Sequence, residues 1–484
     1  MKFKKIASSI FAILLITGAT TSNSRLISKV AANNAITAQA ASSELISNET
    51  TLKWNYDNKY IDSTGNWEIR LDDNASMAQI CALIEPSLIQ SGKKLYIPAY
   101  VTVTLTDSSN KEYYHTVPVT SIGSCVFCDR TISKERAKSL TDVDIPSTVI
   151  EILDASFWGT GIYSLTIPSS VNVIRENAFK FCENLTNVNF DGKTPSILSF
   201  SHCPNLKTFN NQDILSYDDE TGQPLLYESV LNELYNSTDR EYKVSECSIV
   251  EQYMDSYIEY IAKQCVSRTD GSPIQIAREI HDWLIKNTEY DYDFEQCSYT
   301  KYAPFFHKPN GSKCSYAVCA GYAEAYQDLM EAANIECGLV QGDNKITKEG
   351  DHEWNWIEID DKAYQIDVCW DDRGDEISYN NFMRSKAIME NTHNYSIRVI
   401  GLNNKPSYDA HELGKIDFDD DITQNDAIMV RQYVLGLITL EPEKVVAADV
   451  NFDGKVNMAD AFLIAQVANK KGANQSFFEY MYLS

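Results

Sequence analysis

Two stretches of this chain repeat one another at a spacing of 22 residues, and that spacing restricts the fold more than composition does. Leu140–Phe157 and Tyr163–Phe179 share the order apolar strand, Ile-Pro, apolar pair, Ala-x-Phe or Ala-Phe. Ile145 aligns with Ile167, Ile152 with Ile174 and Phe157 with Phe179. Val119–Gly123 with Phe127 is an earlier partial copy. Leu185–Phe190 and Leu206–Phe209 are later ones. A single copy is too short to bury its own apolar side, so the copies must stack on one another. Upstream, Lys94–Pro98, Tyr100–Leu105 and Tyr113–Ile122 read as strands because their apolar residues alternate.

This pattern resembles the BspA-type leucine-rich repeats of secreted bacterial proteins, over about residues 65 to 212 of a strand-rich region spanning 50–212. The resemblance implies a leucine-rich-repeat solenoid and a surface ligand bound by the array. A spacer, or a cover over a neighbouring domain, is the alternative.

The second constraint is Val318–Leu329, VCAGYAEAYQDL. Val318, Tyr322, Ala325, Tyr326 and Leu329 recur at helical spacing, so one face is buried. Cys319 sits at the start of that helix. There the positive end of the dipole pulls a thiol down from about 8.5 toward neutrality. Gly321, in the first turn, lets another backbone segment approach closely. Downstream, Asp351–Ile359 and Ala363–Trp370 read as two strands joined by a turn at Asp360-Asp361-Lys362. His352, Trp354 and Trp356 share one face of the first strand, and Asp367 shares a face with Gln365 and Cys369 in the second. The hairpin brings Asp367 near His352. A thiolate, an imidazole that takes and returns a proton, and a carboxylate that orients the imidazole form a nucleophilic set.

VCAGYAEAY, DHEWNWIEID and AYQIDVCWDD resemble the three motifs of the bacterial transglutaminase-like superfamily, over about residues 228–394. The resemblance implies a papain-like core with Cys319 as nucleophile, His352 as general base and acid, and Asp367 as orienting group. It also implies peptide or amide substrates and a thioester intermediate, resolved either by water or by an amine. The helix Ile274–Lys286, followed by Asn287–Asp291, fits the family's lead-in. The loop Cys297–Tyr316 either shapes the cleft or covers it.

The third signal lies near the C-terminus. Asp449, Asn451, Asp453, Lys455, Asn457 and Asp460 take positions 1, 3, 5, 7, 9 and 12 of an EF-hand-like calcium loop, with Gly454 at 6 and Val456 at 8. Lys455 would contribute its carbonyl. A helix Ala461–Val467 follows. A second copy lies 34 residues earlier (460 − 426), with Asp417, Asp419, Asp421, Thr423 and Asp426 at positions 3, 5, 7, 9 and 12 and a helix Ala427–Leu437 after it. In this copy Lys415 replaces the position-1 acid and Asp420 the position-6 glycine. Crowded carboxylates repel unless a cation screens them, and so short a segment commonly needs a staple. The pair of loop–helix units resembles a small α-helical, calcium-binding type I dockerin over 414–471. That implies Ca2+ as ligand and the cohesin module of a scaffoldin as partner, with contacts near Gln424, Asn425, Met458 and Ala459. It also implies an extracellular, cellulosome-associated protein. The aromatic tail 472–484 either caps this segment or binds a partner.

Composition sets the remaining bounds. The 484 residues suggest a multidomain α+β protein. A formal net charge of −26 with no compact basic patch argues against nucleic acid. Lys2, Lys4 and Lys5 before the apolar run Ile6–Ala19 read as an export signal within 1–40, and no later stretch is apolar enough to span a bilayer. The 12 cysteines are scattered, unlike a disulfide scaffold. Two alternatives to the enzyme are open: a non-catalytic adhesin displayed through the dockerin, and an accessory of polysaccharide degradation. No carboxylate pair in a glycosidase context is apparent.

Overall fold

The computed structural model describes residues 54, 59–237, 240–292, 298–306, 315–346, 350–359, 361–374, 377–399, 407–417, 421–451 and 455–469. The export signal, the aromatic tail, Asp419 and Asp453 therefore lie outside the described residues. The chain divides into two compact units, Met1–Pro195 and Ser196–Ser484.

In the first unit the repeat spacing appears as strand register. Ala78–Leu83, Glu112–Ile122, Glu151–Ile152 and Val173–Ile174 pair in parallel, with Ile80 beside Ile122, Ile122 beside Ile152 and Ile152 beside Ile174. Ser164–Ile167 pairs in parallel with Asn187–Phe190, placing Leu165 beside Val188. Lys94–Tyr96 pairs likewise with Asp142–Asp144. Three successive copies each contribute one phenylalanine to a common column. The Phe127 and Phe157 rings stack at 4.9 Å, and Phe157 and Phe179 at 5.0 Å. All three are fully buried, which is how copies that cannot close a core singly close one together.

In the second unit, residues 213–247 have the composition of a polar connector, but those the structure describes are folded. Leu215–Tyr217 and Pro224–Leu226 form a hairpin, and helices Glu228–Tyr235 and Arg240–Glu246 follow. The acidic triplet Asp218-Asp219-Glu220 lies in the hairpin's turn: Asp218 Oδ1 accepts from Glu220 N (3.1 Å) and Thr221 N (2.8 Å). Helices Ser248–Ser267, Pro273–Asn287 and Cys319–Ala332 then pack with a four-stranded antiparallel sheet. Its strand order is Lys362–Ile366, Asp351–Ile359, Cys337–Asn344, His393–Val399. The Asn355 amide, fully buried, donates to the Ala323 carbonyl at 2.8 Å and fixes the helix on the sheet.

The expected hairpin is present, with Ile359 opposite Lys362 and Asp361 in the left-handed region at φ 63°. The second strand is shorter than its alternation suggests. It ends at Ile366, and Val368–Asp371 is one helical turn, so Cys369 does not share a strand face with Gln365. The cause is Asp367 itself, whose Oδ1 accepts from Trp370 N at 3.0 Å and caps the turn.

Toward the C-terminus lie helices Gln424–Val434, Pro442–Ala448 and Met458–Ala468. The first starts and stops earlier than periodicity implies. Thr423 caps it, and Gly436 at φ 71° ends it, with Gly436 N bonded to Tyr433 O (2.9 Å) and Leu437 N to Gln432 O (2.8 Å). Among the described residues no helix is long and apolar enough to cross a membrane.

Candidate active site

Cys319 is the first residue of its helix, with extended Val318 before it, and is half-buried. The approach at Gly321 is as close as its position in the sequence suggests. A Cβ there would lie 2.6 Å from the Ser298 carbonyl oxygen, and that oxygen also accepts from Val318 N at 3.0 Å. Thr288–Tyr290 pairs in parallel with Ser315–Ala317, tying the lead-in to the residues just ahead of the thiol. In the loop before Cys319, Phe305 is buried and packs on Trp283 at 5.6 Å. That part of the loop covers the helices.

The thiol lies 4.0 Å from the Asp351 carbonyl, at the end of the strand that carries His352. His352 is buried and its Nε2 lies 2.7 Å from Asp367 Oδ2. Burial alone disfavours a charged ring. The Asp367 carboxylate, and then the Cys319 sulfur, outweigh it and push His352 up to about 10. Burial likewise works against a charged Asp367, but His352 and then His393 hold its carboxyl well below the usual range. Nε2 faces Asp367, so Nδ1 is the nitrogen left for the sulfur. Cys319, His352 and Asp367 are thus brought together.

Several neighbours are not legible in the sequence. His393 Nε2 lies 3.0 Å from the same Asp367 Oδ2. Trp370 stacks against both imidazoles, at 4.7 Å from His352 and 4.1 Å from His393. Gly342, opposite His352 in the central strand, makes room for this packing. A Cβ there would collide with the Asn394 carbonyl and sit 2.9 Å from Trp354 Cη2. The Trp370 turn rests on a second buried set. Asp371 accepts from Asn381 N at 3.0 Å and lies 3.4 Å from His281 Nε2. His281 Nδ1 lies 3.0 Å from Asp282, which also accepts from Tyr379 OH at 2.9 Å. Burial pushes the Asp371 carboxyl up. The ligand atoms of His352, Asp367 and His393 lie within 4.8 Å of one another, a closeness that the meeting of both Nε2 atoms at Asp367 Oδ2 accounts for. The ten cysteines among the described residues are all free thiols.

The two acidic loops are built alike. Asp426 Oδ1 accepts from Ile416 N (2.6 Å) and Asp417 N (2.9 Å), and its Oδ2 from Thr423 N (2.8 Å). Asp460 accepts in the same way from Val450 N (3.1 Å), Asn451 N (3.4 Å) and Asn457 N (2.8 Å). Asp449 and Asp460, at positions 1 and 12 of the second loop, are both buried. Burial, and the Asp449 charge after it, push the Asp460 carboxyl up. Two buried carboxylates that repel fit a divalent cation, whose charge would relieve both. At present the Lys362 ammonium stands 3.7 Å from Asp449 Oδ2. In the first loop Lys415 leaves position 1 without a carboxylate, and the Lys444 ammonium sits at the loop's start, donating to the Lys415 carbonyl at 2.8 Å and the Asp417 carbonyl at 3.0 Å. That donor set is the poorer fit.

Comparison with known proteins identifies three segments. Residues 107–219 match the BspA type leucine rich repeat region in 6 copies, residues 260–366 the transglutaminase-like superfamily, and residues 413–467 the dockerin type I domain. No curated protein matches the chain. Among solved structures, the T. pallidum leucine rich repeat protein is 14% identical, covering 30% of this chain and 80% of that one at a TM-score of 0.20. A leucine-rich repeat protein from Bacteroides capillosus is 22% identical, covering 30% and 85% at a TM-score of 0.14. One from Bacteroides ovatus is 20% identical, covering 29% and 44% at a TM-score of 0.17.

Proposed function

We propose that this chain, which joins a BspA type repeat region, a transglutaminase-like segment and a type I dockerin, is an exported cysteine enzyme that cleaves peptide or amide bonds while docked on a scaffold. The observation that carries the reading is the His352 imidazole set between the Cys319 thiol and the buried Asp367 carboxylate. A papain-like arrangement of helix and sheet would hold the three in place.

The chemistry begins when the Cys319 proton passes to His352 Nδ1, leaving a thiolate beside an imidazolium. The Cys319 sulfur attacks the substrate carbonyl carbon, and the C=O electron pair moves onto oxygen. The N–H groups of the helix's first turn have no acceptor within the helix and can stabilise that oxyanion. As the C–N bond breaks, His352 gives its Nδ1 proton to the departing amine, leaving a thioester. His352, now neutral, removes a proton from water. The resulting hydroxide adds to the thioester carbonyl and expels the thiolate, so the acid is released and the imidazolium restored. An amine in place of water gives a new amide. We favour hydrolysis, because Cys319 is half-buried and open to solvent.

The dockerin would hold Ca2+ through Asp449, Asn451, Asp453, the Lys455 carbonyl, Asn457 and Asp460, and bound calcium would neutralise that loop and fix its fold. Ile428 and Phe462 occupy equivalent places in the two helices and are both exposed, which suits a protein partner such as a cohesin. The repeat solenoid would present a surface ligand site.

A peptide-library digest with and without a primary amine, comparing the parent chain with Cys319→Ala, tests the reading. Cleavage lost in the variant supports it. Equal profiles, with function intact, favour a displayed binding protein.

A further inference from the structure

Asp367 serves a second imidazole to which the reaction above gives no task. His393 opens the far edge strand of the sheet, separated from the His352 strand by Cys337–Asn344. Its Nε2 lies 3.0 Å from Asp367 Oδ2, the oxygen that His352 Nε2 meets at 2.7 Å. Its ring is buried, and its Nδ1 lies 2.8 Å from Thr392 Oγ1 and 3.3 Å from the Met389 carbonyl. The other carboxylate oxygen is occupied by the Trp370 N–H.

Resting on the cysteine-enzyme reading, we infer that His393 is a positioning residue, which sets how strongly His352 holds its proton by sharing the Asp367 oxygen. An ionised carboxylate only accepts, so both nitrogens at Oδ2 must carry a hydrogen. His352 is thereby fixed with its proton on Nε2, and Nδ1 is directed to the sulfur. The second donor draws charge from Oδ2. It prevents the carboxylate from over-stabilising the His352 imidazolium, which must release a proton to the leaving amine in each cycle. It also stops the carboxylate from rotating, since each oxygen is already engaged. The shared Trp370 ring keeps the two imidazoles in fixed planes.

The test uses the full chain and two readouts against pH: kcat/KM for peptide cleavage, and iodoacetamide alkylation of Cys319 followed by mass spectrometry of its peptide. In His393→Phe, which fills the site without a donor, kcat/KM should fall about tenfold to a hundredfold, less than the roughly 10⁴-fold loss from disabling a triad carboxylate. Its alkaline limb should move upward. His393→Gln offers an amide donor and should recover most of the loss. Thr392→Val, which keeps the imidazole and removes its hydroxyl partner, should shift the limb the same way by less. This variant keeps the test decisive where the Phe variant fails to fold. An unmoved limb in both the Phe and Val variants overturns the assignment, as does an equal loss in all three without any limb movement. If the parent Cys319 alkylates no faster than free cysteine, the enzyme reading falls and takes this inference with it. A fast parent thiol with unmoved variants sinks the role of His393 alone.

Discussion

The two units of the chain bury different chemistry. The first buries repeated hydrocarbon, in the Phe127–Phe157–Phe179 column and in Ile80, Ile122 and Ile152. It also buries three carboxylates, Asp62, Asp72 and Glu151, but these are met by neutral donors: Trp67 N at 2.9 Å, Met77 N at 2.7 Å and the Trp54 indole at 3.2 Å. The second unit buries His281, Asp282, Asp367, Asp371 and His393. An ion taken out of water costs several kcal/mol unless it is well paired. The array accumulates stability from small equal increments, whereas the second unit gives some up to hold ionisable groups in fixed places. The difference lies in what meets the buried carboxylates: neutral donors in the first unit, and imidazoles as well in the second.

The contrast can be broken at five points. Cys319→Ala should reduce peptide cleavage to background while leaving the fold intact, because the thiol is half-buried at a helix start. A steady-state assay with circular dichroism checks both. Asp367→Asn should cost about 10⁴-fold in kcat/KM. It should also move the alkaline limb. The His352 ring, raised to about 10 by its partners, is charged below that pH and neutral above it. Activity should therefore fade as pH rises through about 10 in the parent and at far lower pH in the variant. The stability the pair contributes is complete between about 3.8 and about 6.5, is lost over the same rise, and is lost again at acid pH as the Asp367 carboxylate takes up a proton. A pH–rate series against a pH series of melts separates the two effects.

Phe157→Ala should destabilise the array by about 3–5 kcal/mol through the hole it leaves between two stacked rings. The alkylation rate of Cys319 should not change, and a change would show that the units are energetically linked. Removing calcium with a chelator should cost the C-terminal helices about 2.7 kcal/mol relative to calcium at a hundred times its Kd. Hydrogen exchange in Met458–Ala468 reports it, and Asp460→Asn should abolish the response. Gly321→Ala should cost about 1–3 kcal/mol, because the Ser298 carbonyl has to retreat. It should slow alkylation only modestly.

Much of this was legible in the residues. Helical spacing after Val318, the turn at Asp361 and the 22-residue offset each correspond to an element with matching register. These signals are local, because side-chain period reports which face is buried. It does not report which strand lies alongside. His393 sits on a strand that pairs with Cys337–Asn344, out of sequence order, so nothing near Thr392-His393-Asn394 announces its meeting with Asp367. The end of the Lys362–Ile366 strand was hidden for another reason. Apolar alternation continues through Val368 and Trp370, and a carboxylate's ability to cap a turn overrode it. Gly436 was a visible stop signal, and it ended its helix earlier than the apolar pattern did.

Asp367 has one more consequence. The same carboxylate that steadies the imidazole is the peg on which a single turn of helix hangs. So short a turn has no cooperative length to resist fraying. The two imidazoles on its other oxygen and the buried Asp371 set beneath it are what hold that turn closed. Local order at the end of one strand and the aim of an imidazole are thus a single property of one carboxylate.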